Sequence, residues 1–192
     1  MKIRLLDYTP NALNKIGAYA GICVGKPFDL SEKERNERRA LSAITSGHLS
    51  VLRFAYATFE IDGVSRVCSH QLVRIAHAGI LQESQRFTNQ YNRSSIVPNS
   101  FSDTPNLKQK IEEHNIISLE LYKEAVYNGI KKEDARFILP EGSTTKLIMT
   151  ANFQTWMHFL SLRTDSSSQW EIRSVANRIK YLLNEVVPGV FL

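Results

Sequence analysis

The chain has 192 residues, of which 43% are hydrophobic and 22% are charged, and its formal net charge is +5. This length and composition predict a single domain over residues 1–192 with an ordinary buried core, and they exclude an intrinsically disordered chain. No apolar run approaches the roughly 20 residues that span a bilayer. The N-terminal residues lack the apolar core of a secretory signal, so we expect a cytoplasmic protein.

The positive charge favours anionic partners such as nucleotides, phosphate-bearing cofactors or nucleic acid. The chain has no run of five or more basic residues, which makes nucleic acid the weaker of these interpretations. Cys23 and Cys68 are too few for a disulfide framework and have no metal-ligand spacing, so we expect two buried thiols and no metal site.

The first part of the chain predicts a strand and then a helix. Residues 1–6 indicate a short opening strand. Ser31 and Glu34 have the spacing of a capping box, which predicts a helix over residues 32–46. Gly47 follows this helix at the position where glycine commonly ends one.

The central part predicts a strand, a buried helix and a long loop. Aromatic and β-branched residues favour a strand over residues 51–61. Apolar residues then recur at helical spacing from Val64 to Ile75, which predicts a buried helix ending near residues 78–79. Residues 80–99 are polar and irregular, and we expect a long loop with a short strand at its start. Loops of this length in a compact domain are usually functional or disordered.

The remaining part is mostly helical. The pattern predicts a helix from Pro105 to Asn128, a short helix over residues 131–139 stopped by Pro140, a strand at residues 147–149, a helix over residues 152–162, and a last helix capped by one of residues 165–168. The last helix carries a regular apolar stripe from Ile172 to Val186. Long helices with a few strands indicate a mixed α and β fold.

The first segment that carries chemistry is HQLVRIAHAGILQESQRF, residues 70–87. It places Gln71 and Arg74 near the end of the buried helix and is followed by polar side chains in the loop: Gln82, Glu83, Ser84, Gln85 and Arg86. A guanidinium, a hydroxyl and backbone N–H groups at a chain turn suit a phosphate, because each donates to its oxygens. On composition alone, an ordinary hydrophilic loop remains an open alternative.

The second and third segments each contain an arginine among apolar residues. Arg136, in DARFILP, either extends to water, pairs with an acidic side chain, or binds a buried anion. In the helix over residues 152–162, one face joins Asn152, Trp156, Phe159 and Arg163. His158 lies nearby as a core residue or a ligand, and Asp165 has the position of an N-cap.

Taken together, these segments resemble the flavin-dependent thymidylate synthases in order and spacing. That family's signature is Arg-His-Arg, seven residues, and then Ser, in a stretch ending in Ser-x-Arg-Tyr. Arg74 and Ser84 have this spacing here, and SQRF closes the stretch. DARFILP and LRTDSSSQWEIR resemble the family's Ala-Arg-x-x-Leu-Pro and Leu-Arg-x-Asp-Ser-x-x-Gln-Trp-Glu-Ile motifs.

The resemblance implies a small central sheet flanked by long helices, in a homotetramer whose active sites form where subunits meet. Each site would bind dUMP against FAD, with methylene-tetrahydrofolate supplying one carbon and NADPH reducing the flavin. The dUMP-binding residues would be Gln71, Arg74, Gln82, Glu83, Ser84, Gln85, Arg86, Arg136 and Arg163. The FAD-binding residues would be Arg74, His77, Asn152, Gln154 and His158.

Among these residues, Arg163 would carry the catalytic role. A permanently charged guanidinium beside the uracil favours the ionised pyrimidine and so makes its C5 nucleophilic. Ser84 would then be a phosphate ligand and not a nucleophile.

The sequence departs from the family at several cofactor positions. Ile75 and Ala76 stand where the signature has its His and second Arg, Phe54 aligns with a further family His, and His158 replaces an Asn. These departures leave open three other functions: hydroxymethylation of dUMP without flavin reduction, methylation of UMP, or nucleotide binding without catalysis.

Overall fold

The computed structural model describes residues 1–191, which form a mixed α and β structure as the sequence predicts. Its strands are β1 (Lys2–Tyr8), β2 (Tyr56–Ser65), β3 (Gly79–Gln82) and β4 (Thr144–Asn152). They form one antiparallel sheet in the order β1-β2-β4-β3. The register follows from two bonds on β2 and β4: Thr58 Oγ1 donates to Thr150 Oγ1 at 2.8 Å, and Phe153 N donates to Ala55 O at 2.9 Å.

Seven α-helices lie within the described residues. They are α1 (Ala12–Ile22), α2 (Lys33–Thr45), α3 (Arg66–Leu72), α4 (Pro105–Tyr127), α5 (Lys132–Ala135), α6 (Phe153–Arg163) and α7 (Trp170–Val186). Turns of 3-10 helix occur at Leu49–Phe54, Asn99–Phe101 and Arg136–Ile138. The predicted long helix with proline at its first position is confirmed as α4, which ends before Gly129 at φ 84°.

The chain forms two compact units. Residues 1–2, 62–73 and 81–147 form the first unit, and residues 3–61, 74–80 and 148–191 form the second. The expectation of a single domain remains a prediction.

The first unit has its core around α3, α4 and the start of β4. Leu72, Tyr122 and Leu147 are all buried, and the rings of Tyr91 and Tyr122 meet edge to face with centroids 6.0 Å apart. Pairing of Arg66 N with Ser143 O at 3.0 Å holds the start of α3 against the strand.

The second unit has an aromatic core beneath the sheet. The buried Trp156 ring packs edge to face on Phe59 and Phe159, at centroid distances of 5.0 and 5.7 Å, and Trp156 Nε1 donates to Ala57 O at 3.0 Å. The apolar stripe of α7 is buried as the sequence predicts, at Ile172, Val175, Ala176, Ile179 and Leu183.

Helix α1, which the sequence reading missed, packs closely on α2 in the second unit. A Cβ on Gly17 would lie 1.8 Å from Asn36 O, so the helices touch at this glycine through their backbones. Around it, Asn36 Nδ2 donates to Asn14 Oδ1 at 2.8 Å and Arg39 Nη1 donates to Gly17 O at 2.9 Å. A glycine and a small polar network thus set the separation of the two helices.

The predicted strand over residues 51–61 begins too early. Leu49–Phe54 is a 3-10 turn, and β2 starts only at Tyr56. Leu52 and Ala55 are buried whereas Arg53 and Phe54 are exposed, a spacing of three that suits a 3-10 turn and not a strand.

The predicted helix ending near residues 78–79 is also too long. α3 ends at Leu72, and residues 73–78 form a turn in which His77 has φ 63°, a left-handed conformation that cannot continue a helix. β3 then begins at Gly79, where a Cβ would lie 2.9 Å from Thr150 Cγ2. Close approach of β3 to β4 thus requires a glycine there.

Three smaller predictions are wrong in detail. Glu32 and not Ser31 is the N-cap of α2, because Ser31 N donates to Asp29 Oδ1 at 2.8 Å in a turn before the helix. Gln169, beyond residues 165–168, caps α7. Cys23 is exposed, whereas Cys68 is buried as expected.

Candidate functional site

The loop after β3 is anchored by the last residue of that strand. Gln82 is the last residue of β3, and its Nε2 donates to Ser69 Oγ at 2.9 Å and to Thr145 Oγ1 at 3.3 Å. Glu83 N donates to Lys146 O at 2.9 Å, so pairing with β4 continues one residue further. Residues 84–86 leave the sheet here, where Arg86 N donates to Ser84 Oγ at 3.2 Å.

The Glu83 carboxylate is engaged within the protein. Arg93 Nη2 donates to its Oε2, and Thr88 Oγ1 donates to its Oε1 at 3.2 Å. Arg93 also reaches Asp62 Oδ1 at 3.4 Å. These bonds tie the start of the loop to its later part and neutralise a negative charge beside the residues expected to hold a phosphate.

Two arginines, a glutamine and a histidine line one open cavity of about 360 Å³ in the first unit. Its lining residues are Arg66, His70, Gln85, Arg136, Phe137, Leu139, Pro140 and Glu141. The predicted residues Gln85 and Arg136, far apart in sequence, therefore meet on its wall. The short helix and 3-10 turn over Lys132–Ile138, stopped by Pro140, place Arg136 there as an exposed side chain whose Nε donates to Glu133 O at 3.1 Å.

Arg66 is a residue that the sequence reading missed. Its Nη2 donates to Glu83 O at 3.2 Å, and its buried Nε has no hydrogen-bond partner among residues 1–191. Burial, followed by the positive charge of Arg136, lowers the pKa of Arg66 from its usual value. An anion bound in the cavity would accept a hydrogen bond from Arg66 Nε and would offset the repulsion between the charges of Arg66 and Arg136. One feature of the sequence could have pointed to Arg66. It lies four residues before His70 and therefore on the same face of α3.

Arg86 lies at a second cavity in the same unit, of about 560 Å³. Arg86 Nε approaches Glu133 Oε2 to 2.5 Å, and its guanidinium lies 5.4 Å from the centre of the Phe87 ring. Lys131 and Lys132 also line this cavity. Ser84 and Gln71 are half-buried, and Gln71 Nε2 makes a long 3.4 Å bond to Val67 O. Neither residue lines the two cavities described.

The other predicted residues, Arg74, His77, Asn152, Gln154, His158 and Arg163, belong to the second unit. Arg74 and His77 are exposed on the turn before β3. Asn152 caps α6, since its Oδ1 accepts from Thr155 N at 2.9 Å, and Gln154 Oε1 accepts from Arg53 Nε at 2.5 Å. The amide side chains at this helix start are thus held by protein contacts.

Helix α6 has one buried face and one face exposed to solvent. Trp156 and Phe159 are buried, so the predicted face that joined them to Asn152 and Arg163 is mostly core. His158 is exposed, which excludes the interpretation of a buried core histidine. Arg163 is half-buried and is the last residue of the helix.

The turn after Arg163 is fixed by side-chain bonds. Thr164 Oγ1 donates to Leu160 O at 2.7 Å and Ser168 Oγ to Leu162 O at 2.8 Å. Asp165 Oδ1 accepts from Ser167 Oγ at 2.6 Å and Ser167 N at 2.8 Å, and these bonds lower the pKa of Asp165. The polar residues of LRTDSSSQWE thereby set the position of Arg163, with Asp165 as a turn residue and not an N-cap.

Within residues 1–191, no group of three or more His, Cys, Asp or Glu side chains is arranged to hold a metal. The described helices also include none that is long and apolar enough to cross a membrane. The fold and the site together define an α/β protein with a cavity lined by cationic side chains.

Comparison with known proteins identifies the family. The model of the thymidylate synthase complementing protein family matches residues 4–189. A flavin-dependent thymidylate synthase of Geobacter sulfurreducens is 36% identical over 201 residues, covering 100% of this chain and 85% of that protein. Enzymes of the same name from Thermococcus onnurineus and Pyrococcus furiosus are 36% and 35% identical, covering 92% of this chain and 76% of each. The chain belongs to the thymidylate synthase complementing protein family.

Proposed function

We propose that this protein is a flavin-dependent thymidylate synthase, a methyltransferase that converts dUMP to dTMP with methylene-tetrahydrofolate as the carbon donor. The observation that carries the proposal is the family match over residues 4–189, together with relatives of that name over the whole chain. When bound, FAD reduced by NADPH supplies the hydride that completes the methyl group. We propose that the active protein is a homotetramer, with sites completed where subunits meet.

The nucleotide's phosphate and sugar are held by cationic and polar side chains. We assign this role to the predicted residues Gln71, Arg74, Gln82, Ser84, Gln85, Arg86 and Arg136, and we add Arg66. A cavity that joins Arg66 and Arg136 supports the assignment, because two nearby guanidinium groups favour a dianion such as a phosphate monoester. Glu83 does not contact the nucleotide itself but positions the loop that does, since its carboxylate is bound by Arg93 and Thr88.

Arg163 performs the chemical role. Its guanidinium donates to the N3–C4=O edge of the uracil and stabilises negative charge there, which raises electron density at C5. C5 then attacks the methylene carbon of the folate, and the new C–C bond forms as one bond from that carbon to a folate nitrogen breaks. Loss of the C5 proton and cleavage of the second carbon–nitrogen bond release tetrahydrofolate and leave a methylene group on the ring, which a hydride then completes to methyl. No side-chain nucleophile is needed, because the ionised ring is itself nucleophilic.

The chemistry of several exposed or half-buried side chains in the second unit fits a dinucleotide cofactor. Arg74, His77, Gln154 and His158 supply donors for phosphate and ring oxygens. Gln154 and Asn152 lie at the start of α6, where the helix carries partial positive charge. We assign these five residues to FAD.

We expect product formation to require the whole set of proposed co-substrates. The protein is incubated with dUMP and methylene-tetrahydrofolate, with and without FAD and NADPH, and the product is identified by mass spectrometry. dTMP should form only in the complete mixture. A hydroxymethylated product without FAD, or methylation of UMP in preference to dUMP, would contradict the proposed reaction, and no turnover in any mixture would reject an enzymatic role for the chain alone.

We expect Arg66→Ala to weaken nucleotide binding. Loss of a charge-assisted hydrogen bond to a phosphate should raise the KM for dUMP about ten- to a hundredfold with little change in kcat. Steady-state kinetics measure the effect. Lys110→Ala, which removes an exposed positive charge from α4 in the same unit, is the matched control and should leave KM unchanged. An unaltered KM in Arg66→Ala would remove this residue from the phosphate site.

A further inference from the structure

The 3-10 turn Leu49–Phe54 lies against the first residues of α6. One contact is the side-chain bond from Arg53 Nε to Gln154 Oε1 at 2.5 Å. The other is a backbone bond from Phe153 N to Ala55 O at 2.9 Å. Together they place Arg53 beside the start of α6, and the Arg53 side chain is exposed to solvent.

The positions that differ from the family signature carry no charge in this unit. Ile75 and Ala76 are apolar. Phe54 packs on Tyr19 with ring centroids 5.2 Å apart, and Tyr19 stacks on Phe28 at the same distance, so Phe54 belongs to an aromatic cluster. A dinucleotide bound to the second unit therefore finds no cation at these three positions.

Arg53 has the geometry to supply the missing charge. Its Nε is directed to Gln154, which fixes the plane of the guanidinium. This leaves the edge formed by the two terminal nitrogens as a fork for an anion, and a fork of this kind suits the paired oxygens of a diphosphate. Gln154 is itself assigned to FAD, so the cation adjoins a residue that already has a role in cofactor binding.

We propose that Arg53 is a cofactor-binding residue whose guanidinium contacts the diphosphate of FAD, in place of the cationic contacts that Ile75 and Ala76 do not provide. The inference rests on the proposed function, because FAD is taken from it. It adds a residue outside the three sequence motifs and accounts for cofactor binding by a chain with an incomplete signature.

The test compares FAD with riboflavin, which has the same ring system and no phosphate. Dissociation constants are measured by quenching of flavin fluorescence for the wild-type protein and for Arg53→Ala. FAD affinity should fall about ten- to a hundredfold in the variant, the effect of losing a charge-assisted bond, whereas riboflavin affinity should not change. The salt dependence of FAD affinity should also become shallower in Arg53→Ala, because one cation–phosphate contact is gone.

Arg38→Ala is the matched control, since it removes an exposed arginine from α2 in the same unit and should leave FAD affinity intact. Thermal unfolding of each variant verifies that the fold is retained. Unchanged FAD affinity and salt dependence in Arg53→Ala would overturn the inference, as would an equal loss for FAD and riboflavin. A wild-type protein that binds no FAD would instead reject the flavin dependence of the proposed function.

Discussion

Arg163→Ala should lower kcat for dTMP formation by about a hundred- to a thousandfold. Alanine removes the positive charge that stabilises the ionised uracil, and a single preorganised donor of this kind contributes roughly 10²–10³ in rate. Release of tritium from C5-labelled dUMP measures the activation of the ring directly. That exchange should fall by the same factor as product formation.

Two further variants, Arg163→Lys and Arg178→Ala, are compared with Arg163→Ala. Arg163→Lys keeps the charge and loses the planar fork, so an intermediate rate is expected. Arg178→Ala removes an exposed arginine whose guanidinium lies 4.8 Å from the Tyr181 ring centre on α7, and it should retain full activity. If Arg163→Ala exchanges the C5 hydrogen at the wild-type rate, the guanidinium does not activate the pyrimidine.

Gly17→Ala should lower the free energy of unfolding by about 3 kcal/mol or more. The added Cβ would lie 1.8 Å from Asn36 O, and a backbone atom cannot move aside without separating α1 from α2. That separation would also stretch the bonds of Asn36 to Asn14 and of Arg39 to Gly17 O. Urea unfolding followed by circular dichroism measures the change.

Gly21→Ala, four residues later on the same helix face, is the control for Gly17→Ala. Its Cβ would meet Arg39 Nη1 at 2.8 Å, and this side-chain end can move aside at the expense of its bond to Gly17 O, whereas the backbone of Asn36 cannot. Alanine also gains about 1 kcal/mol of helix propensity over glycine, so a clearly smaller loss of stability than in Gly17→Ala is expected. Equal stability of the two variants would show that the packing of α1 on α2 is less tight than the structure describes.

The sequence predicted elements whose cause is local. α4 and α7 follow from apolar spacing, a proline at the first position of α4 and a glycine after its end. α1 was missed because ALNKIGAYAGI contains two glycines that disfavour an isolated helix. Gly17 is present because of contact with Asn36, nineteen residues later (36 − 17), and local periodicity does not contain that information.

In the candidate site too, the sequence predicted what depends on local motifs and missed what depends on contacts formed on folding. Motif spacing led to the loop residues, to Arg136 and to Arg163, while their roles remain proposals. Arg66 was missed because its importance comes from a buried Nε and from the nearby charge of Arg136, both of which arise only on folding. The pairing of Glu83 with Arg93 was likewise beyond sequence reasoning, since two loop residues meet there by a chain reversal.

The two hydroxyls around Gln82 suit either an amide or a carboxylate at position 82. Ser69 Oγ and Thr145 Oγ1 accept from its amide, yet a hydroxyl rotates and can donate instead. A carboxylate at this position would be met by two reoriented O–H groups with no movement of the main chain, except that Ser69 would give up its bond to Arg66 O. The same pocket therefore suits glutamine or glutamate, and an exchange of one for the other would not require the sheet to be rebuilt.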